Sequence, residues 1–296
     1  MWTDDMPRVT ASEAELEAAT QENLYALFRT MVRHLDGELL ETAVLSRHHT
    51  RPASPMFRGV WHTRLAADSA DAAIEDTIAW FHARGAPDFF WWMAPGDTPD
   101  DLPERLRAHG LLDLGGRIQP SSEDEGPESS GSPCMVADLN HLNENLLEAV
   151  PPGFEIRDVS SPEILSDFGR AFQESFNTSE AAAHAWAGAT AHRGFGQMPW
   201  LSVVGYLEGE PVATNMLLCG GGVAGLYAVG TVPAARGKGI GAATTLHLLL
   251  EARTRGYRYG VLFSSPMGLP VYERIGFRRV NARLRRFLWQ NPSTGG

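Results

Sequence analysis

Thr231-Val232-Pro233-Ala234-Ala235-Arg236-Gly237-Lys238-Gly239-Ile240-Gly241 runs out of an apolar stretch into a long helical one, and its reading decides the fold. Glycines at alternate positions remove Cβ atoms that would hold a ligand off the backbone, and they permit the φ values of a tight, concave turn. The amides of Gly237 to Gly241 then stand at the start of a helix, where unpaired N–H groups and the helix dipole favour an anion. Arg236 and Lys238 add full positive charges beside them. The stretch is therefore expected to hold a pyrophosphate on its main chain.

Gly237-Lys238-Gly239-Ile240-Gly241-Ala242 also satisfies the relaxed dinucleotide pattern G-x-G-x-x-(G/A), so a Rossmann site is the rival. That site needs a carboxylate near the end of the next strand, and Tyr259-Gly260-Val261-Leu262-Phe263-Ser264 has none. The 55 residues after Gly241 are too few for the remaining crossovers, at about 30 residues per unit. No Walker sequence G-x-x-x-x-G-K-(S/T) occurs. Downstream, Ser264-Ser265-Pro266-Met267-Gly268-Leu269-Pro270-Val271-Tyr272-Glu273-Arg274-Ile275-Gly276-Phe277 reads as strand, short helix, strand. Pro270 suits the first helical turn and Gly276 the left-handed residue that ends it.

With these two motifs in this order, the chain from about Phe154 to its end resembles the GNAT acyl-CoA N-acyltransferases. Arg236, Gly239 and Gly241 meet the family's (Q/R)-x-x-G-x-(G/A) loop, and Tyr272, Gly276 and Phe277 its Tyr-x-x-x-Gly-Phe signature. The element order agrees: a strand at 154–159, helices near 161–176 and 179–193, and strands at 200–206, 211–218 and 223–232. The resemblance implies an α/β fold with a mixed sheet and acetyl-CoA as co-substrate. Its pyrophosphate is expected on Arg236, Gly237, Lys238, Gly239, Ile240, Gly241 and Ala242, and its pantetheine arm along Gly230, Thr231 and Val232, with Ser265 as a further contact. Tyr272 matches the position that protonates the departing thiolate, and the acceptor is expected to be a primary amine of a small molecule.

Many relatives carry a carboxylate on the strand before the loop, yet Gly222-Val223-Ala224-Gly225-Leu226-Tyr227-Ala228-Val229-Gly230 has none. Tyr227, Asn215, Glu180 and His184 are the residues placed to reach an amine instead, each with a structural role as the alternative. His247 reads as a packed or solvent-facing helix residue. A non-catalytic acyl-CoA-binding sensor is the competing function.

The chain also appears twice in its own sequence. Ala73 through Arg84, stopped by Gly85, matches Ala243 through Arg255, stopped by Gly256, and ten residues after each glycine comes a proline, Pro95 and Pro266. Two N-acyltransferase-like modules in tandem are expected, at 1–145 and 151–296, with a break at Pro151-Pro152-Gly153; an unrelated α/β domain over 1–118 is the alternative. The first copy has no glycine in Thr63 through Asp71, and Leu106 stands where the second has Tyr272, so it is expected to be a degenerate scaffold that walls the amine pocket or forms a dimer face. Gln119 to Pro133 holds five serines and four carboxylates and no basic residue, so it is expected to be a disordered loop, with Cys134 to Leu139 returning to the first module's sheet.

A hydrophobic content of 43% and a charged content of 21% describe an ordinary globular protein. With no long apolar run, no export signal and two cysteines lacking metal-ligand spacing, a cytoplasmic location with reduced thiols and no membrane partner is expected. Net charge of −11 disfavours nucleic acid. His48-His49 reads as surface, the arginines 278, 279, 283, 285 and 286 as the solvated face of a terminal hairpin, and a homodimer as a family-level expectation. No metal is expected.

Overall fold

A computed structural model of the chain describes residues 10–51, 54–117, 131–191 and 200–292, without side chains at 189–191. In chain order the elements are α1 (Glu13–His34), β1 (Glu38–Glu41), β2 (Ser46–His49), β3 (Arg58–Trp61), α2 (Ala70–His82), β4 (Asp88–Met93), α3 (Leu102–Ala108), β5 (Leu112–Gly115), β6 (Ser132–Asp138), β7 (Phe154–Asp158), α4 (Pro162–Phe176), α5 (Glu180–Ala191), β8 (Trp200–Leu207), β9 (Glu210–Gly220), β10 (Val223–Thr231), α6 (Ile240–Thr254), β11 (Tyr259–Phe263), α7 (Leu269–Ile275) and β12 (Arg278–Gln290). Local chemistry sets their ends. Ser161 Oγ accepts the Ile164 amide at 3.4 Å to start α4, and Asn177 at φ 46° stops it. Gly276 at φ 121° ends α7. The expected acidic loop lies almost wholly at 118–130, outside the described residues.

Contacts divide the chain into a larger unit, Met1–Leu27 with Cys134–Val280, and a smaller one, Phe28–Pro133 with Asn281–Gly296. These are not the halves 1–145 and 151–296. Cys134 to Asp138 of β6 pairs antiparallel with β11, not with a strand of its own half. In return, Arg285 to Gln290 of β12 pairs with β4, and Arg286 to Leu288 with β5. Residue pattern marks a segment as a buried strand, but only the free sheet edge it meets decides its partner. The expected terminal hairpin is one strand of 13 residues, β12.

In the larger unit the strands run β6-β11-β10-β9-β8-β7, all antiparallel except the β10/β11 pair. The core on one face joins Ala224 and Leu226 of β10 to Leu246 and Leu249 of α6 and to Tyr272 and Ile275 of α7. On the other face Asn23 of α1, with no exposed surface, donates through Nδ2 to the carbonyls of Leu218 and Gly220 at 3.0 Å and Val223 at 3.3 Å. Those carbonyls belong to the β9–β10 turn, so one amide side chain satisfies backbone that a buried hairpin end would otherwise leave unbonded.

In the smaller unit β3 and β4 pair in parallel while β1, β2, β4, β5 and β12 pair antiparallel with their neighbours. Ile74 and Phe81 of α2, Leu102 and Leu106 of α3, and Phe89, Trp91, Phe287 and Trp289 of the sheet form its core. Phe81 stacks on Phe89 with centroids 4.0 Å apart. His48 is a correction to its surface reading: it has no exposed area, stacks on Phe28 and accepts from Trp61 Nε1 at 3.2 Å. Alternation within β2 turns His48 inward, a face that two adjacent histidines do not reveal. The β12 arginines are engaged: Arg278 with Glu13, Arg279 with Glu273, Arg285 with Asp113, and Arg283 and Arg286 with the carbonyls of Gly131 and Gly116. No helix among the described residues is long and apolar enough to cross a membrane.

Candidate active site

The site begins with a break in strand pairing. Tyr227 of β10 stands opposite Met216 of β9, but the next pair is Gly230 with Thr214, so three steps on β10 meet two on β9. The extra residue makes a β-bulge, with Ala228 at φ 51° and its carbonyl held by Thr214 Oγ1 at 2.8 Å. On the other edge β10 pairs with β11 only at Ala224–Gly260 and Gly225–Val261. Past these residues the parallel strands part, and the last residues of β10 present an edge unpaired by β11. Such an edge can accept an extended ligand as an added strand.

The chain then turns through Pro233–Ala235 into Arg236, with Gly237 at φ 75° and Gly239 at φ 80° as the residue before α6. The helix starts at Ile240, later than expected, so Gly237 to Gly239 form the turn itself. Ala243 is the first residue whose amide bonds back inside the helix, to Gly239, which leaves the amides of Ile240, Gly241 and Ala242 at its open end. Arg236, Gly237 and Lys238 are exposed, Gly239 and Gly241 half-buried, and Ile240 and Ala242 buried. Nothing lies within 4 Å of where a Gly237 Cβ would be. Lys238 has no ion-pair partner among the described residues. Arg236 donates through Nε to the Thr231 carbonyl at 3.1 Å and through Nη2 to the Ser175 carbonyl at 3.2 Å, tying the turn to the end of α4.

The glycines have packing reasons as well. A Cβ at Gly239 would stand 2.5 Å from the Ala149 carbonyl, and one at Gly230 would stand 2.7 Å from Ser175 Cβ and 2.8 Å from Phe176 Cε2. Gly230 is thus small because α4 lies on it. One at Gly241 would lie 3.3 Å from Thr231 Oγ1.

Tyr272 stands on α7. It is 8% exposed and shares a core with β10 and α6, its ring meeting Phe277 edge-on at 5.7 Å. Gly268 clears room for the ring, since a Cβ there would lie 2.7 Å from Tyr272 Cε2. The hydroxyl has no hydrogen-bond partner among the described residues. Burial pushes its pKa above the usual phenol value, which keeps the proton on at neutral pH. Ser265 Oγ accepts the Gly268 amide at 3.2 Å, so its first task is to cap the turn into α7; Ser264 Oγ donates to the Ser265 carbonyl at 2.7 Å.

The four amine-reaching residues part company. Glu180 and His184 have side chains 78% and 77% exposed on α5. Asn215 is buried and donates to Thr245 Oγ1 of α6 at 3.1 Å, on the face away from α1. Tyr227 alone lies on the bulged strand, its hydroxyl 2.6 Å from Asn23 Oδ1. His247 stands 3.6 Å from Asp158 on the surface. Asn23 was invisible to sequence reasoning, being 204 residues from Tyr227.

The matching place in the smaller unit is stitched shut. Beyond the Gly59–Phe90 and Val60–Trp91 pairs, Asp97 accepts the Thr63 amide at 3.0 Å and the Ala94 amide at 2.8 Å, so one carboxylate bridges the two chain segments where they would part. Trp91 Nε1 donates to Thr63 Oγ1 at 3.0 Å. Leu106 is fully buried.

The site thus joins a bulged strand that parts from its parallel neighbour to a glycine turn and a helix start. Residues 143–263 match the family described as Acetyltransferase (GNAT) domain. A GCN5-related N-acetyltransferase from Kribbella flavida superposes with a TM-score of 0.67 at 17% identity, over 94% of this chain and 96% of that one. A GCN5-related N-acetyltransferase from Sphaerobacter thermophilus gives 0.58 at 14% identity, over 98% and 97%. A tandem GNAT protein from the clavulanic acid biosynthesis pathway gives 0.54 at 11% identity, over 94% of each chain. No curated protein matches significantly. The chain has the α/β fold of the GCN5-related N-acetyltransferases in its tandem form.

Proposed function

We propose that the protein is an acetyl-CoA-dependent N-acetyltransferase that acts on a primary amine of a small molecule through the larger unit. The observation that carries this reading is the opening between β10 and β11 leading to the exposed Arg236–Lys238 turn. Two features support acetyl-CoA: nothing lies within 4 Å of a Cβ at Gly237, and the amides of Ile240 to Ala242 have no backbone partner inside the helix, which leaves them for its pyrophosphate. Lys238 adds a cation, while Arg236 acts mainly by holding the turn in shape. The edge at Gly230, Thr231 and Val232 is unpaired by β11, so the pantetheine arm would run along it as an added strand, its thioester carbonyl accepting a backbone N–H. Ser265 keeps its own proton free to donate there.

In the reaction the neutral amine nitrogen forms a bond to the thioester carbon, the carbon–sulfur bond breaks with its electron pair on sulfur, Tyr272 supplies the proton that makes the thiol, and the proton shed by the nitrogen passes through solvent and restores the Tyr272 phenol. A buried phenol suits this task because it stays protonated until the thiolate forms beside it. The smaller unit keeps the scaffold and, with Asp97 in the cleft, carries no acyl-CoA. Calorimetric titration of acetyl-CoA into the parent, a Gly237→Ala control and the Gly237→Asp variant tests the cofactor site, because both substitutions carry the backbone cost of a Cβ at φ 75°, neither Cβ meets a protein atom, and only the aspartate adds charge. Gly237→Asp is expected to bind at least tenfold more weakly than the control; equal affinity would remove the assignment. Tyr272→Phe should lower kcat about tenfold or more with cofactor affinity unchanged, and an unchanged kcat would return Tyr272 to packing.

A further inference from the structure

We infer that Tyr227, with its hydroxyl direction fixed by Asn23, is the residue that orients the acceptor amine, and that the acceptor is a weakly basic primary amine. This rests on the transferase reading above. The bulge gives Tyr227 its place. Gly225, Tyr227 and Gly230 pair with Leu218, Met216 and Thr214, alternate residues of β9, so all three face one side of the sheet. Asn23 of α1 covers Gly225, where a Cβ would overlap Oδ1, and Ser175 and Phe176 of α4 cover Gly230. Tyr227 lies between these two covers and is half-buried, at the point where β10 has parted from β11.

The proton inventory settles which way the Tyr227 hydroxyl points. Asn23 Nδ2 has two protons and three carbonyls around it, so the amide cannot flip and Oδ1 must face Tyr227. Oδ1 only accepts, hence the Tyr227 hydroxyl donates to it, and the lone pairs of the phenol oxygen can then only accept from a ligand. An amine N–H is such a donor. Held by one N–H, the nitrogen keeps its own lone pair for the thioester carbon. Burial raises the Tyr227 pKa, so the phenol holds its proton and does not act as a base. At the neighbouring cover, Ser175 Oγ is buried without a partner, a second uncharged group on this face.

Two uncharged oxygens neither attract an ammonium strongly nor remove its proton. The amine must arrive already neutral, which an α-amine with a pKa of about 8 does far more often near pH 7.5 than an alkylamine of about 10.4. Thiol release at pH 7.5 with phenylalaninamide, glucosamine, spermidine and cadaverine, in parent and Tyr227→Phe, tests this. The parent is expected to turn over phenylalaninamide or glucosamine at least tenfold more efficiently than the two alkylamines. Tyr227→Phe should raise KM for the amine at least tenfold, with acetyl-CoA affinity and the pH profile of kcat/KM unchanged, while Tm falls because buried Asn23 Oδ1 loses its donor. A preference for the alkylamines, an unchanged amine KM, or a shifted pH profile overturns the inference while leaving the transferase reading intact. A parent that releases no thiol with any of the four overturns both.

Discussion

Gly239→Ala separates two reasons for glycine in the turn. Gly239 sits at φ 80°, and an added Cβ would stand 2.5 Å from the Ala149 carbonyl oxygen. The left-handed conformation costs a residue with a Cβ about 1–2 kcal/mol. The contact is with main chain and not with a flexible tip, so relief requires the Ala149 segment to move, at a further ~1–3 kcal/mol. Gly237, at φ 75° with nothing within 4 Å, carries the first cost alone. Gly239→Ala should therefore lose about 2–5 kcal/mol and Gly237→Ala about 1–2 kcal/mol. At roughly 2–4 °C per kcal/mol for a unit of this size, the two Tm values differ by about 2–12 °C. Differential scanning calorimetry without ligand reads this directly. Equal losses in the two variants would refute the Ala149 packing account, and a Gly239→Ala as stable as the parent would refute the left-handed account too.

Three further outcomes follow from buried polar groups. Gly225→Ala pushes a methyl into Asn23 Oδ1, so it should destabilise the larger unit by about 1–3 kcal/mol; chemical denaturation measures it, and no loss would mean Asn23 does not rest on β10. Asp97→Asn keeps one acceptor where the carboxylate serves two backbone amides and Arg64, and should cost about 1.5–3 kcal/mol in the same assay. Burial lowers the His48 pKa to about 3, so its neutral form is the folded one, and its contribution is fully present above about 6.5 and is lost as pH falls from there towards 3. Between pH 6 and 4, His48→Phe should flatten the fall in stability by about 1.4 kcal/mol per pH unit, and an unchanged slope would place the titration elsewhere.

The glycine turn, Tyr272 and the strands and helices from Phe154 to Phe277 were legible because each is written locally. A positive φ asks for glycine, a helix end for proline or glycine, and a strand for a run of apolar residues. The bulge was not legible, since Ala228 adopts φ 51° without a glycine to announce it. Gly230 looked like a ligand contact and is explained first by Ser175 and Phe176. His48 looked solvated until Trp61 and Phe28 closed around it. Neither Asn23 nor Asp97 belongs to a motif, and each gains its role by meeting backbone far along the chain.

By itself the sequence determined the strands and helices from Phe154 to Phe277 and the glycine turn before α6, because these depend on residues a few positions apart. Only the tertiary structure decided which sheet receives each half's last strand, how β10 parts from β11, and which side chain orients Tyr227. Those choices turn on free strand edges and unbonded carbonyls, which exist only after distant segments have packed together.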